Sequence, residues 1–214
     1  IRFTMWKGLW LPSCNSLNCW PEDTPFSYAR TVTKAESGSV NIGKIEASPH
    51  IGTHIDAPFH FDDAGATVEA LDINRYIGGA TVIEVGEGEA ITLEAIESYR
   101  IEGTTLLLKT KQQTERTVFP ESIPVLEKQA VEYMASCGIK LFGIDVTSVD
   151  AIDSKTLDIH HLLYERDIMI LENAVLDEIE PGYYDFVALP LKIQGADGSP
   201  VRAALRYRGG FGDE

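Results

Sequence analysis

From residue 80 onward the sequence alternates short β-rich runs with segments of helical period, and this alternation limits the chain to a mixed α/β fold. TVIEV (81–85), TTLLLKT (104–110), LFGIDV (141–146) and IMILE (168–172) read as strands. Between them, ITLEAIESYR reads as a helix, a longer helix is predicted across 122–137 and ended by Gly138, and a short one lies around 158–166. YDFVALPLKI and VRAALRY, separated by Gly-Ala-Asp-Gly-Ser-Pro at 195–200, predict an antiparallel pair joined by a turn. Before residue 45 no clear period emerges, and WPEDTPF (20–26) reads as a turn-rich loop.

The 214 residues contain no repeat, low-complexity tract or Pro/Gly/Ser linker, so one domain over 1–214 is expected. With 44% hydrophobic and 24% charged residues, disorder is excluded. A formal charge of −15 repels phosphate backbones and anionic membrane surfaces, which argues against a nucleic-acid or membrane partner. No run approaches the roughly 20 apolar residues that span a bilayer. The start, IRFTMWKGLWLPSCN, does not read as a secretory signal, so a cytoplasmic location is expected. Cys14, Cys19 and Cys137 are an odd set, read as reduced thiols, with Cys137 simply packed near a helix end.

Three of the five histidines fall within HIGTHIDAPFH, residues 50–60, where random scatter would place about 0.3. His50, Gly52, His54, Asp56, Pro58 and His60 occupy even positions, and the odd ones are apolar or β-branched, the period of an extended segment. A straight strand would hold His50 and His54 roughly 13 Å apart, too far to share an ion, so the segment must bend. Gly52 permits the bend, and Pro49 and Pro58 argue against a continuous helix. Three imidazoles flanking an acid at ligand spacing point to a metal site. Imidazole and carboxylate together suit zinc and tolerate manganese, iron or cobalt.

HIGTHIDAPFH matches H-x-G-T-H-x-D-x-P-x-H, and through it the chain resembles the cyclase-like metal-dependent hydrolases, which include bacterial kynurenine formamidases and isatin hydrolases. WPEDTPF resembles the W-P-G-D-T-P-F stretch of the formamidases, with Glu22 in place of glycine. GIDVTSVD (143–150), SKTLDIHHLLYERDIMILEN (154–173) and GADGSPVRA (195–203) are similar to later family segments. The family's opening D-x-S-x-P strand has no match in IRFTMWKGLWLPSCNSLNC.

The resemblance implies a swivelling β/β/α domain with a mixed, partly barrel-like sheet, assembled as a homodimer. It implies two divalent ions per chain, zinc first and manganese second. His50, His54, Asp56 and Glu172 would hold one, and Asp56, His160 and Glu172 the other. His60, which clustering alone leaves open as a ligand, becomes the proton shuttle, and Trp20 the aromatic contact for substrate. The implied activity is hydrolysis of an amide C–N bond, foremost that of N-formyl-L-kynurenine to kynurenine and formate in tryptophan degradation. An isatin-type cyclic-amide hydrolase and a non-catalytic metal- or ligand-binding protein are the rival readings. His161 is read as a helix-face neighbour, Asp145, Ser148 and Asp150 as turn or cap residues, and Asp197-Gly198 as a hairpin turn.

Overall fold

The computed structural model describes residues 5–10, 14, 16–86, 88, 90–113 and 115–210. Its strands are β1 (Lys7–Gly8), β2 (Ser27–Val32), β3 (Ile42–Glu46), β4 (His54–Asp56), β5 (Ile77–Glu84), β6 (Ala90–Ile91) and β7 (Thr105–Lys109). They continue with β8 (Val125–Leu126), β9 (Leu141–Ile144), β10 (Met169–Glu172), β11 (Gly182–Val187), β12 (Gly198–Pro200) and β13 (Ala204–Gly209). The helices are α1 (Lys34–Ser37), α2 (Leu93–Glu97), α3 (Lys128–Ser136) and α4 (Asp158–Glu165).

Nine strands form one sheet in the order β1-β13-β11-β5-β7-β9-β10-β4-β12. The central β5, β7, β9 and β10 run parallel, and antiparallel strands extend both sides. This bears out the mixed α/β class. Side chains alternate strictly: Leu106, Leu108, Phe142, Ile144 and Ile170 enter the core beneath the helices, with Val131 and Met134 of α3 and Leu163 of α4. Leu107, Leu141, Met169 and Leu171 enter a second core on the opposite face. Burial on both faces is why these strands read as near-continuous apolar runs, each fully buried leucine contributing about 1.5–3 kcal/mol.

Only residues 201–203 separate β12, at one edge of the sheet, from β13, next to the other edge. Four chain steps reach at most about 14 Å, so the two edges must approach and the sheet curls into a half-barrel. The seam is tied by Leu9 N–H to Ala203 O at 2.9 Å and Val201 N–H to Thr53 O at 3.0 Å. β1, on β13, supplies an opening edge strand without the family's motif; residues 1–4, 11–13 and 15 of that opening stretch lie outside the described residues.

Three sequence expectations need correction. The helix predicted across 122–137 starts only at Lys128, because Pro124 disfavours a helical residue before it and Val125–Leu126 pair with Ala90–Ile91. That pairing also shortens the preceding helix to Leu93–Glu97, where the Thr92 side chain caps the N-terminus. The 195–200 stretch does not simply join two neighbouring strands: Gly198–Pro200 crosses to the far edge and pairs with β4, although β11 and β13 are antiparallel neighbours as expected. Gly138 does end α3, at φ 78°. Among the described residues, no helix is long and apolar enough to cross a membrane.

Candidate metal centre and active site

The bend required of the histidine segment is present. Gly52 takes φ 60°, a left-handed conformation that favours glycine, and the ring centroids of His50 and His54 come within 4.9 Å. After the bend, β4 lies between β10 and β12, which sets Glu172 opposite His54, and Ile170 and Gly198 opposite Asp56. Directly opposed residues share a face, so register alone gathers His54, Asp56 and Glu172 on one side while Ile55 enters the core on the other. Gly198 has no room for a side chain: a Cβ there would lie 2.9 Å from His50 Cε1 and from Ile55 O. A short 3-10 turn, Pro58–His60, then brings the His60 ring to 4.0 Å from that of His50.

The second half of the centre comes from α4. The Asp150 carboxylate accepts hydrogen bonds from the Ile159 and His160 backbone N–H groups and meets His160 Nδ1 at 2.7 Å, so it caps the helix and fixes the ring together. His160 Nε2 then lies 3.5 Å from both Asp56 Oδ2 and Glu172 Oε1. On the other side His54 Nε2 lies 3.2 Å from Asp56 Oδ1 and 3.5 Å from Glu172 Oε2. Each buried carboxylate thus turns one oxygen toward His54 and the other toward His160.

Every imidazole of the inner set has its outward nitrogen occupied. His54 Nδ1 meets Gly52 O at 2.8 Å, His160 Nδ1 meets Asp150, and His50 Nε2 meets Asp197 at 3.1 Å. Their other nitrogens, Nε2 of His54 and His160 and Nδ1 of His50, face the carboxylates, His50 Nδ1 at 2.9 Å from Asp56 Oδ1. His54 Nε2 and Asp56 Oδ2 are fully buried without any hydrogen-bond partner. Buried polar atoms are rarely left in that condition, and imidazoles oriented from outside by an acceptor are the usual surroundings of a metal. Ligand atoms of His54, Asp56 and Glu172 lie within 4.8 Å of one another, as do those of His50, Asp56 and His60, so these groups could hold divalent cations.

Electrostatics follow from this crowding. Burial pushes His54 and His50 down, but the facing carboxylates outweigh it and hold His54 up at about 10 and His50 at about 9. His160 is likewise held well above its ordinary value, against burial, by Asp150, Asp56 and Glu172. Burial alone would raise Asp56, yet the three imidazoles bring it well below the usual carboxylate range. His60 differs: desolvation dominates and lowers it below the ordinary 6.5. Asp197 is held down to about 2, chiefly by its hydrogen bond to His50.

A cavity of about 230 Å³ opens over this cluster, lined by His50, His60, His160 and Glu172 below, with Trp20, Ile152 and Leu157 among its walls. Trp20 is half-buried and also packs its ring 4.9 Å from that of Phe119, so it combines packing with cavity lining. Glu22, where the resemblance has glycine, sits at φ 74°. His161 stays outside the cluster, exposed and edge-on to Phe61. Asp145 is structural as expected, accepting from Thr110 N–H and Oγ1. Asp150 caps a helix as expected, and its hold on His160 is new. The sequence marks Asp197 only as a turn residue, yet its carboxylate reaches His50 and stands 3.7 Å from His60 Nδ1; nothing local in Ala-Asp-Gly distinguishes it, because a strand crossing brings it there.

The Cyclase family model matches residues 9–151, two thirds of the chain. The chain belongs to the Cyclase family. Within its relatives, the chain is 48% identical to the kynurenine formamidase of Bacillus cereus over 207 residues, covering 96% of this chain and 99% of the relative. It is 51% identical to that of Geobacillus thermodenitrificans over 191 residues, covering 89% and 91%. Among solved structures, a potential metal-dependent hydrolase with cyclase activity superposes with a TM-score of 0.81 at 26% identity, covering 96% of this chain and 99% of the other. Isatin hydrolase A from Ralstonia solanacearum shares the fold, with a TM-score of 0.80 at 21% identity, covering 95% and 92%.

Proposed function

We propose that this Cyclase-family protein is a metal-dependent amide hydrolase that converts N-formyl-L-kynurenine to L-kynurenine and formate. The observation that carries the metal reading is the pair of buried carboxylates shared between His54 and His160. His50, His54, Asp56 and Glu172 would hold one divalent ion, and Asp56, His160 and Glu172 would hold a second, the two carboxylates supplying the negative charge that two neighbouring cations require. Zinc, or manganese in its place, supplies Lewis acidity and makes water a usable nucleophile near neutral pH.

The remaining work falls to the chain's own side chains. His60, kept neutral at pH 7 by desolvation, accepts a proton as water attacks the formyl carbon. It returns that proton to the departing aniline nitrogen as the C–N bond breaks. Asp197, near His60 Nδ1, favours the imidazolium that exists between those events. Trp20 offers its face to the aryl ring. Near-full-length identity to kynurenine formamidases favours this substrate over isatin. The three free cysteines fit a cytoplasmic protein, and the β2–β3 hairpin, exposed along both strands, offers a surface for a homodimer.

Turnover of N-formyl-L-kynurenine and of isatin by the zinc- and manganese-loaded protein tests the assignment. Formate release from the first alone is expected; opening of isatin with N-formylkynurenine untouched would overturn the substrate, and failure to retain either metal would overturn the centre.

A further inference from the structure

Above the imidazole–carboxylate floor, the same cavity carries two charges that no step of the hydrolysis uses. Lys155 is the one lysine or arginine in its lining and has no ion pair or hydrogen bond among the described residues. Asp23 receives the Thr24 N–H on Oδ1 at 3.1 Å, which leaves Oδ2 open. The floor is closed, with His160 2% and Glu172 4% exposed, whereas Asp23 is half-buried and Lys155 exposed, so the two charges mark the solvent side. Leu157, two residues after Lys155, lines the cavity in a left-handed conformation, φ 48°. Strain of that kind, on a non-glycine residue, persists where the surroundings over-determine the backbone.

We infer that Lys155 and Asp23 form a subsite for the α-amino-acid end of the substrate, Lys155 taking its carboxylate and Asp23 its ammonium group. The inference rests on the formamidase reading, because N-formyl-L-kynurenine is an aryl formamide whose ortho side chain ends in those two charges. With the formamide at the floor and the ring against Trp20, the side chain ends toward the open side. A chain of net charge −15 repels a carboxylate on average, so local attraction has to come from a cation placed at the mouth. The unlike pair also discriminates: isatin and simple formanilides carry neither charge.

Binding of the product pair separates this from the activity itself. By calorimetry on the metal-loaded protein, L-kynurenine should bind more tightly than ortho-aminoacetophenone, which keeps ring and ketone but lacks the amino-acid end. Lys155→Met and Asp23→Asn should each cut that preference about 2- to 5-fold, the range for partly solvated charge pairs. Lys155→Glu should invert it. Equal affinities in the wild type, or a preference unchanged in all three variants, would overturn the subsite even if N-formylkynurenine is hydrolysed normally. Absence of hydrolysis with the preference intact would instead sink the formamidase reading and leave the subsite standing.

Discussion

At and beneath the cavity floor His54, Asp56, His160 and Glu172 are at most 4% exposed and stand on paired strands or a capped helix, whereas at the rim Trp20, Asp23 and Lys155 hang on loops. Floor geometry is over-determined: strand register places Glu172 opposite His54, and an outer acceptor fixes each inner imidazole. Rim geometry rests on short-range turn hydrogen bonds, such as Asp23 N–H to Trp20 O and Leu157 N–H to Ser154 Oγ, with one aromatic contact and two residues in left-handed conformations. Under the proposed function the chemistry is built into the sheet, while selectivity sits where loops can change without disturbing it.

The largest break in that contrast is expected from Asp56→Asn. Removing a charge shared by both proposed ions should empty the centre and lower kcat/KM by more than about 10³-fold, toward the upper end of what losing an essential group costs. Elemental analysis and turnover on one sample check it. His60→Ala should keep the metal and lose roughly 10² to 10⁴ in kcat, the usual cost of removing a general acid/base. An emptied centre in that variant would make His60 a ligand.

A pH series probes the floor without mutation. In the metal-free chain His50 and His54 are raised to about 9 and about 10, above the unfolded value near 6.5. Their contribution to stability is thus fully present below about pH 6.5 and is lost as pH rises through 9 to 10. Metal ligation needs those nitrogens deprotonated, so metal affinity rises over the same interval, roughly tenfold per pH unit for each proton released. Thermal melts at pH 6 and pH 9 should therefore slope in opposite directions with and without zinc; parallel slopes would show that the imidazoles do not carry the protons.

Rim substitutions should be milder and selective. Trp20→Ala is expected to cut kcat/KM for N-formylkynurenine about 2- to 13-fold, the worth of an aromatic contact, and to spare an aliphatic formamide. A uniform loss would reduce Trp20 to its packing on Phe119. The smallest effect belongs to Glu22→Gly: relief of the strain at φ 74°, partly offset by glycine's freedom in the unfolded chain, should raise Tm by about 2 °C. A drop in Tm would mean that the Glu22 side chain earns its place by contacts.

Legibility in the sequence followed the same division. The four central parallel strands were readable because both faces are buried, and the bend at Gly52 was readable because four extended residues could not otherwise bring His50 to His54. Residues paired through long-range register were less so. Glu172 alone is a charge ending an apolar strand, and only the family likeness gave it a role. Asp197 went unread because its neighbours look like a turn, and its partner His50 lies 147 positions away. β8 was hidden inside a helical pattern because its pairing with β6 overrides local propensity.

The three-residue tie between β12 and β13 has a consequence for biogenesis. β4 meets β10 and then β12 only after residues 169–172 and 198–200 have been made, so a nascent chain carries its first histidines long before anything can enclose them. Until β13 joins β11, the half-barrel's inner apolar face stays open, with Leu107, Leu141 and Leu171 exposed to other chains. Acquisition of the metal should therefore follow synthesis of the closing strand, and chains stalled before residue 198 should depend on chaperones and be prone to aggregate.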